Sequence, residues 1–215
     1  MTPSLSDTQR AQLDAYAAEL ARLNRAFNLV SPRTVAEIPR VHVGHSLALA
    51  ARPFPVGATV VDWGSGGGLP AVPLAIAFPH AAFVAVDSVG KKTQAVELFA
   101  RRLELQNLTA WNGRAEHYDG PAPQLSVSRA TAPLADLWAW HAAARAEPPT
   151  GAAALAPGDP LASDEAWPPG LFCLKGGDLT DEVAALHAAH PGLTVVQWEL
   201  RGFGADKRVV WVGGA

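Results

Sequence analysis

Apolar positions first recur with a helical period. Leu13, Tyr16, Leu20, Leu23 and Phe27 follow one another at spacings of three and four, the stripe of an amphipathic helix. Ser6-Asp7-Thr8-Gln9 stands ahead of them in the form of a capping box, and the stretch from Asn28 to Pro32 reads as the loop that ends the helix. A second helix is predicted over Val35 to Ala51, closed off by Pro53 and Pro55. From Thr59 the pattern changes to short apolar runs alternating with longer amphipathic ones. Strands are predicted near 59–63, 82–87, 108–112, 124–129, 170–175, 193–200 and 207–212, and helices near 71–78, 90–106, 134–146 and 179–189. Helix 90–106 carries Val96, Phe99 and Leu103 on one face. This β-α-β alternation predicts a parallel sheet with right-handed crossovers. No helix separates the last two strands. They are joined by Arg201-Gly202-Phe203-Gly204-Ala205-Asp206, so an antiparallel hairpin is predicted there.

The first of these strands, Thr59-Val60-Val61, runs into Asp62-Trp63-Gly64-Ser65-Gly66-Gly67-Gly68-Leu69-Pro70 and then straight into a helix. Glycines allow a turn with positive φ and let a ligand approach the bare backbone, and the helix start beyond them offers unpaired N–H groups. The second strand ends in Asp87, 23 positions past Gly64, where a carboxylate that binds a ribose belongs. The same carboxylate suits a helix N-cap, and the two roles are compatible. Alternating glycines set this run apart from the dinucleotide pattern G-x-G-x-x-G, and no Lys-Ser or Lys-Thr follows to make a P-loop. The order D-x-G-x-G-x-G resembles the first motif of S-adenosylmethionine-dependent methyltransferases.

Composition narrows the class. Of 215 residues, 49% are hydrophobic and 17% charged, the balance of a globular chain large enough to bury a full core. One cysteine, Cys173, excludes an internal disulfide and fits a reducing compartment, so a cytoplasmic protein is expected. No apolar run has the length of a membrane span, and the first residues lack a signal-peptide pattern, so no membrane association is expected. The formal net charge of −3 places any nucleic-acid contact on a local basic patch. His42 and His45, like His187 and His190, are three apart, but no third ligand cluster accompanies either pair, and no metal site is expected. Residues 147–169, rich in Pro, Ala and Gly, read as a long loop insertion.

The blocks in their order resemble the bacterial small-subunit ribosomal RNA methyltransferase G family, also called glucose-inhibited division protein B. The resemblance spans nearly the whole chain: Leu23-Asn24-Arg25-Ala26-Phe27-Asn28-Leu29, His42-Val43-Gly44-His45-Ser46-Leu47-Ala48-Leu49, the glycine run through Ile76, Asp87-Ser88-Val89-Gly90-Lys91-Lys92, Gly113-Arg114-Ala115-Glu116, Ser128-Arg129-Ala130 and Leu174-Lys175-Gly176. The chain departs from the family pattern at His45, where that pattern has Asp, at Val41 in place of Arg and at Ala71 in place of Gly.

The resemblance implies an α/β, Rossmann-like S-adenosylmethionine-dependent methyltransferase fold. Its seven-stranded sheet would be mostly parallel with an antiparallel last strand, preceded by N-terminal helices. Residues 1–55 would form a helical segment packed on a methyltransferase domain of 56–215, the whole being one compact unit. It further implies methyl transfer from S-adenosyl-L-methionine to N7 of guanine 527 in 16S ribosomal RNA. Free RNA or the small ribosomal subunit would be the partner, and the enzyme would act as a monomer. A small-molecule methyltransferase of the same fold is the alternative. Asp62, Gly64, Gly66, Leu69, Asp87, Ala115, Glu116 and Arg129 are the expected cofactor-binding residues, with Arg129 also the candidate for positioning. Arg129 falls at the carboxyl end of a strand, where ligands of open α/β sheets sit, and its planar fork suits a carboxylate or a phosphate. Lys91, Lys92, Arg114 and Lys175 are the candidates for RNA binding. Guanine N7 carries a lone pair and no proton, so its attack on a methyl group requires no general base.

Overall fold

The computed structural model describes residues 4–129, 131–145, 165–200, 202–203 and 206–214. Helix α1 covers Asp7–Phe27. Ser6 Oγ accepts from the Gln9 N–H while Gln9 Oε1 accepts from the Ser6 N–H, the reciprocal cap its sequence announces. The Gln9 amide also donates to the carbonyls of Ile76 and Ala77, the last residues of α2 (Ala71–Ala77), and so ties the first helix to the end of the second. At the far end Asn28 takes the left-handed conformation, and its N–H bonds to Asn24 O.

Seven strands, β1 (Thr59–Trp63), β2 (Ala82–Asp87), β3 (Leu108–Asn112), β4 (Leu125–Arg129), β5 (Gly170–Gly176), β6 (Thr194–Glu199) and β7 (Lys207–Gly213), form one sheet in the order β3-β2-β1-β4-β5-β7-β6. Every pairing is parallel except those of β7, which runs antiparallel to both β5 and β6. The central strands are buried on both faces, and successive residues feed opposite layers. Val60, Phe172 and Leu174 pack in the core under α1, α2 and α3 (Gly90–Arg102). Val61, Trp63, Leu171 and Cys173 pack under α4 (Leu134–Ala144) and α5 (Thr180–Ala189). Cys173 is fully buried, which pushes its thiol up to about 12 and leaves it unreactive packing.

The predicted helix over 35–51 is broken. A 3-10 turn (Pro32–Glu37), a π-helical turn (Ile38–Gly44) and a second 3-10 turn (Leu47–Ala51) replace it. Pro39 supplies no backbone donor and disfavours the α conformation before it, and Ser46 Oγ donates to His42 O across the π turn. Helix α3 stops at Arg102, short of 106, because Glu104 turns left-handed at φ 55°. Most of the predicted 147–169 loop lies outside the described residues, but its end is anchored. Trp167 is buried, its indole N–H donates to Leu49 O at 2.7 Å, and its ring stacks on Trp198 and carries Arg52 over its face.

Candidate functional site

Strand order reverses between β1 and β4. One chain half continues through β2 and β3, and the other begins on the opposite side of β1. The crevice at the carboxyl ends of these two strands is where an open α/β sheet places its ligand. Ser128 Oγ pins its mouth by donating to Trp63 O at 2.9 Å, and Thr131 Oγ1 donates to Gly64 O and Arg129 O.

The glycine turn leaves β1 at this point. Gly64, Gly66 and Gly68 all have positive φ, at 72°, 58° and 86°. Gly64 is further confined: a Cβ there would stand 2.0 Å from Thr131 Cγ2. Around Gly66, by contrast, the nearest atom a Cβ would meet is Leu29 O at 3.8 Å, so the backbone lies open to a close-fitting ligand. Helix α1 roofs the turn: Tyr16 is wholly buried and its hydroxyl donates to Gly67 O at 2.7 Å. The Leu69 N–H closes the turn on Ser65 O, while the Leu69 side chain belongs to the core.

Asp62 lies fully buried beneath the turn. Its Oδ2 accepts from the Ala71 N–H at 3.1 Å, which fixes the start of α2. Burial pushes its carboxyl up to about 7, against the opposing influence of the Ser65 hydroxyl, the Ala71 N–H and the Arg129 guanidinium. Although the hydroxyl lies near enough to be felt, neither buried atom, Asp62 Oδ1 or Ser65 Oγ, has a hydrogen bond of normal geometry among the described residues.

Asp87, at the end of β2, reaches back to the same turn. Its Oδ2 accepts from the Gly66 N–H at 3.0 Å and from Lys92 Nζ at 3.5 Å, and its Oδ1 accepts from the Val89 N–H at 2.9 Å. Each carboxylate oxygen offers two lone-pair directions, so Oδ1 keeps a free one. Asn112 and Gly113 hold β3 against the Asp87 carbonyl. Half-buried Ala115 and exposed Glu116 follow on a 3-10 turn, with exposed Arg114 at its start.

Arg129 closes the crevice from β4. Its Nη1 donates to His42 Nδ1 at 2.9 Å, and it makes no ion pair with a carboxylate among the described residues. Burial lowers the basicity of its guanidinium, opposed by the nearby Tyr16 and Asp62, and a guanidinium stays charged even so. Burial and Arg129 together lower His42 to about 4, so the imidazole is neutral. His45 is also lowered to about 4, by burial first, and stacks on Phe203 at 5.4 Å.

The fold therefore draws Asp62, Gly64, Gly66, Asp87 and Arg129 to one crevice, with Ala115 and Glu116 beyond the adjoining strand. Lys91 is exposed, whereas Lys92 is held by Asp87. Lys175 differs from its expected placement on an RNA face. It is buried, and its ammonium bonds Ala132 O at 2.6 Å and Glu182 Oε2 at 2.7 Å. Glu182 also accepts from the Leu134 N–H, so this pair fastens α4 to α5. Tyr16 and Thr131 were not legible as site residues. A phenol on the apolar stripe of a helix needs a hydrogen-bond partner when it is buried, which was the one available hint for Tyr16.

Comparison with known proteins agrees with this architecture. A family model described as rRNA small subunit methyltransferase G matches residues 9–147. The ribosomal RNA small subunit methyltransferase G of Salinibacter ruber is 53% identical over 97% of this chain and 94% of its own length. The protein of the same name from Chlorobium limicola is 36% identical over 96% and 89%. Among solved structures, an O-methyltransferase from Bacillus cereus in complex with SAH superposes with a TM-score of 0.55 at 15% identity, over 93% of this chain and 90% of that one. An rRNA methylase from Streptococcus thermophilus gives 0.51 at 12%, over 81% and 95%; these two likenesses are of fold. The chain belongs to the rRNA small subunit methyltransferase G family.

Proposed function

We propose that this protein transfers the methyl group of S-adenosyl-L-methionine to N7 of a guanine in small-subunit ribosomal RNA, guanine 527 of the 16S molecule. The observation that carries the reading is Gly66. It is left-handed, a Cβ there would meet, beyond its chain neighbours and among the described residues, nothing nearer than Leu29 O at 3.8 Å, and it is held by Asp87 at the switch point of the sheet. Asp62 Oδ1 and Ser65 Oγ, which make no hydrogen bond of normal geometry among the described residues, suit a polar ligand. The cofactor brings a methyl group already bound to a cationic sulfur.

The protein's part is to bind and align. Gly64 and Gly66 receive the ligand's backbone-facing edge, with Asp62 and Leu69 shaping the turn. Asp87 accepts from ribose hydroxyls through its free lone pair, and Ala115 and Glu116 hold the adenine end. Arg129 receives an anionic group. Guanine N7 supplies its own electron pair and loses no proton, so alignment of the nucleophile with methyl and sulfur is the main source of rate, worth about 7–11 kcal/mol. No side chain is needed as a base. Lys91 and Arg114 are the exposed cations left to meet RNA phosphates. Residues 1–55 ride on the 56–215 domain as one monomeric, cytoplasmic unit.

The test is incubation with methyl-labelled cofactor and unmodified 16S RNA or small subunits, followed by nucleoside analysis. Label in N7-methylguanosine at the single guanine is expected. Label elsewhere in the RNA rejects the site. Label only in small molecules points to the other substrate class.

A further inference from the structure

Arg129 does not end at His42. His42 Nε2 lies 2.8 Å from Thr34 Oγ1, and Thr34 Oγ1 donates to Ser31 O at 3.1 Å. The direction of every bond in this line is fixed. A guanidinium has only donors, so His42 Nδ1 must accept and the imidazole proton must sit on Nε2. That N–H then donates to Thr34, whose own hydroxyl proton goes to the Ser31 carbonyl. The line runs from Arg129 at the carboxyl end of β4, through His42 87 positions away, to Ser31 in the turn that follows α1. His42 sits on the π turn, whose backbone Ser46 holds at 2.8 Å. Irregular helical turns of this kind recur at functional sites.

The kind of acceptor matters. An aspartate in place of His42 would orient the guanidinium equally well but would cancel its charge. A neutral imidazole orients it and leaves the charge available to an incoming anion. We propose that His42 is a positioning residue: it holds the Arg129 fork at the crevice as a neutral acceptor, in a tautomer locked by Thr34 and Ser31. The group served is the carboxylate at the amino-acid end of the cofactor, because half-buried Arg129 stands near enough to buried Tyr16 and Asp62 to be influenced by both, and Tyr16 bonds the glycine turn itself. This assignment rests on the proposed cofactor reading.

Two measurements test it. Nitrogen-15 NMR of the imidazole in the ligand-free protein is expected to show His42 neutral and protonated on Nε2; protonation on Nδ1 overturns the proposal. This arm reads the same whatever RNA the enzyme acts on, and whether or not S-adenosylhomocysteine binds, so its failure is distinct from failure of the functional reading. The second arm titrates S-adenosylhomocysteine into folded variants. His42→Phe is expected to bind it about tenfold or more weakly, the loss of one hydrogen bond that orients a charged group. His42→Asn, which keeps a neutral acceptor near the Nδ1 position, is expected to recover most of that loss. His42→Asp is expected to fold and yet bind as weakly as His42→Phe. Wild-type affinity in the Phe variant, or equal affinity in the Asn and Asp variants, overturns the proposal.

Discussion

Replacing Gly64 by alanine tests whether the glycine turn is confined by Thr131, just past the end of β4. Two costs follow from its geometry. Its φ of 72° is left-handed, which costs an L-residue about 1–2 kcal/mol. A Cβ would also stand 2.0 Å from Thr131 Cγ2 and 2.8 Å from Thr131 Cβ, a contact that forces side chain or backbone to move at about 1–3 kcal/mol. Together these predict a loss of about 2–5 kcal/mol. Rotating Thr131 away does not spare the protein, because its Cβ remains in conflict and its hydroxyl leaves Gly64 O and Arg129 O. The two costs separate in a double-mutant cycle. Thr131→Gly removes the clashing atoms and leaves the backbone strain, so pairing it with Gly64→Ala is expected to recover the steric share, about 1–3 kcal/mol of coupling. Urea unfolding of the four proteins gives the numbers. An unchanged midpoint for Gly64→Ala, or strict additivity with Thr131→Gly, refutes the account of this turn.

Asp87→Ala is expected to weaken S-adenosylhomocysteine binding by about 1.5–3 kcal/mol, since the carboxylate braces Gly66 and is proposed to accept from the ribose; unchanged affinity by calorimetry rejects that role. RNA affinity is expected to fall steeply with salt, and Lys91→Ala with Arg114→Ala to flatten the log–log slope while leaving cofactor affinity intact; a slope already flat in the wild type excludes phosphate contacts. The pH dependence of stability follows from three buried groups, His42, His141 and Asp62, and half-buried His45. His42 and His45 are lowered to about 4 and His141 to about 3, so the unfolded chain takes up protons first and stability falls as pH drops below the ordinary histidine value of 6.5. Asp62, raised to about 7, acts oppositely: the folded chain holds its proton longer, and this contribution is lost as pH rises from 3.8 to about 7. Asp62→Asn is therefore expected to steepen the gain in urea midpoint on going from acid to neutral pH; an unchanged profile shows that Asp62 titrates normally.

Local chemistry accounts for what the sequence determined. The capping box of α1, the boundaries of the strands and the glycine turn all follow from side-chain period and backbone freedom within a few neighbouring residues, so they were legible without the fold. Asp62, Gly64, Gly66 and Asp87 were legible for the same reason, because one β-turn-α unit and the strand after it carry them. Pro39 already contained the reason the 35–51 helix breaks, but the π turn that replaces it depends on how the segment packs against α1. Only the tertiary structure could decide the rest. Thr131 confines Gly64, His42 orients Arg129, and Tyr16 roofs Gly67 because the switch in strand order brings β4 and α1 beside β1, which no local period encodes. Lys175 shows the same limit in reverse. Its charge and its place at a strand end suggested an RNA contact, yet burial against Glu182 makes it a fastening between helices, since an ammonium taken out of water is stable only beside its counter-charge.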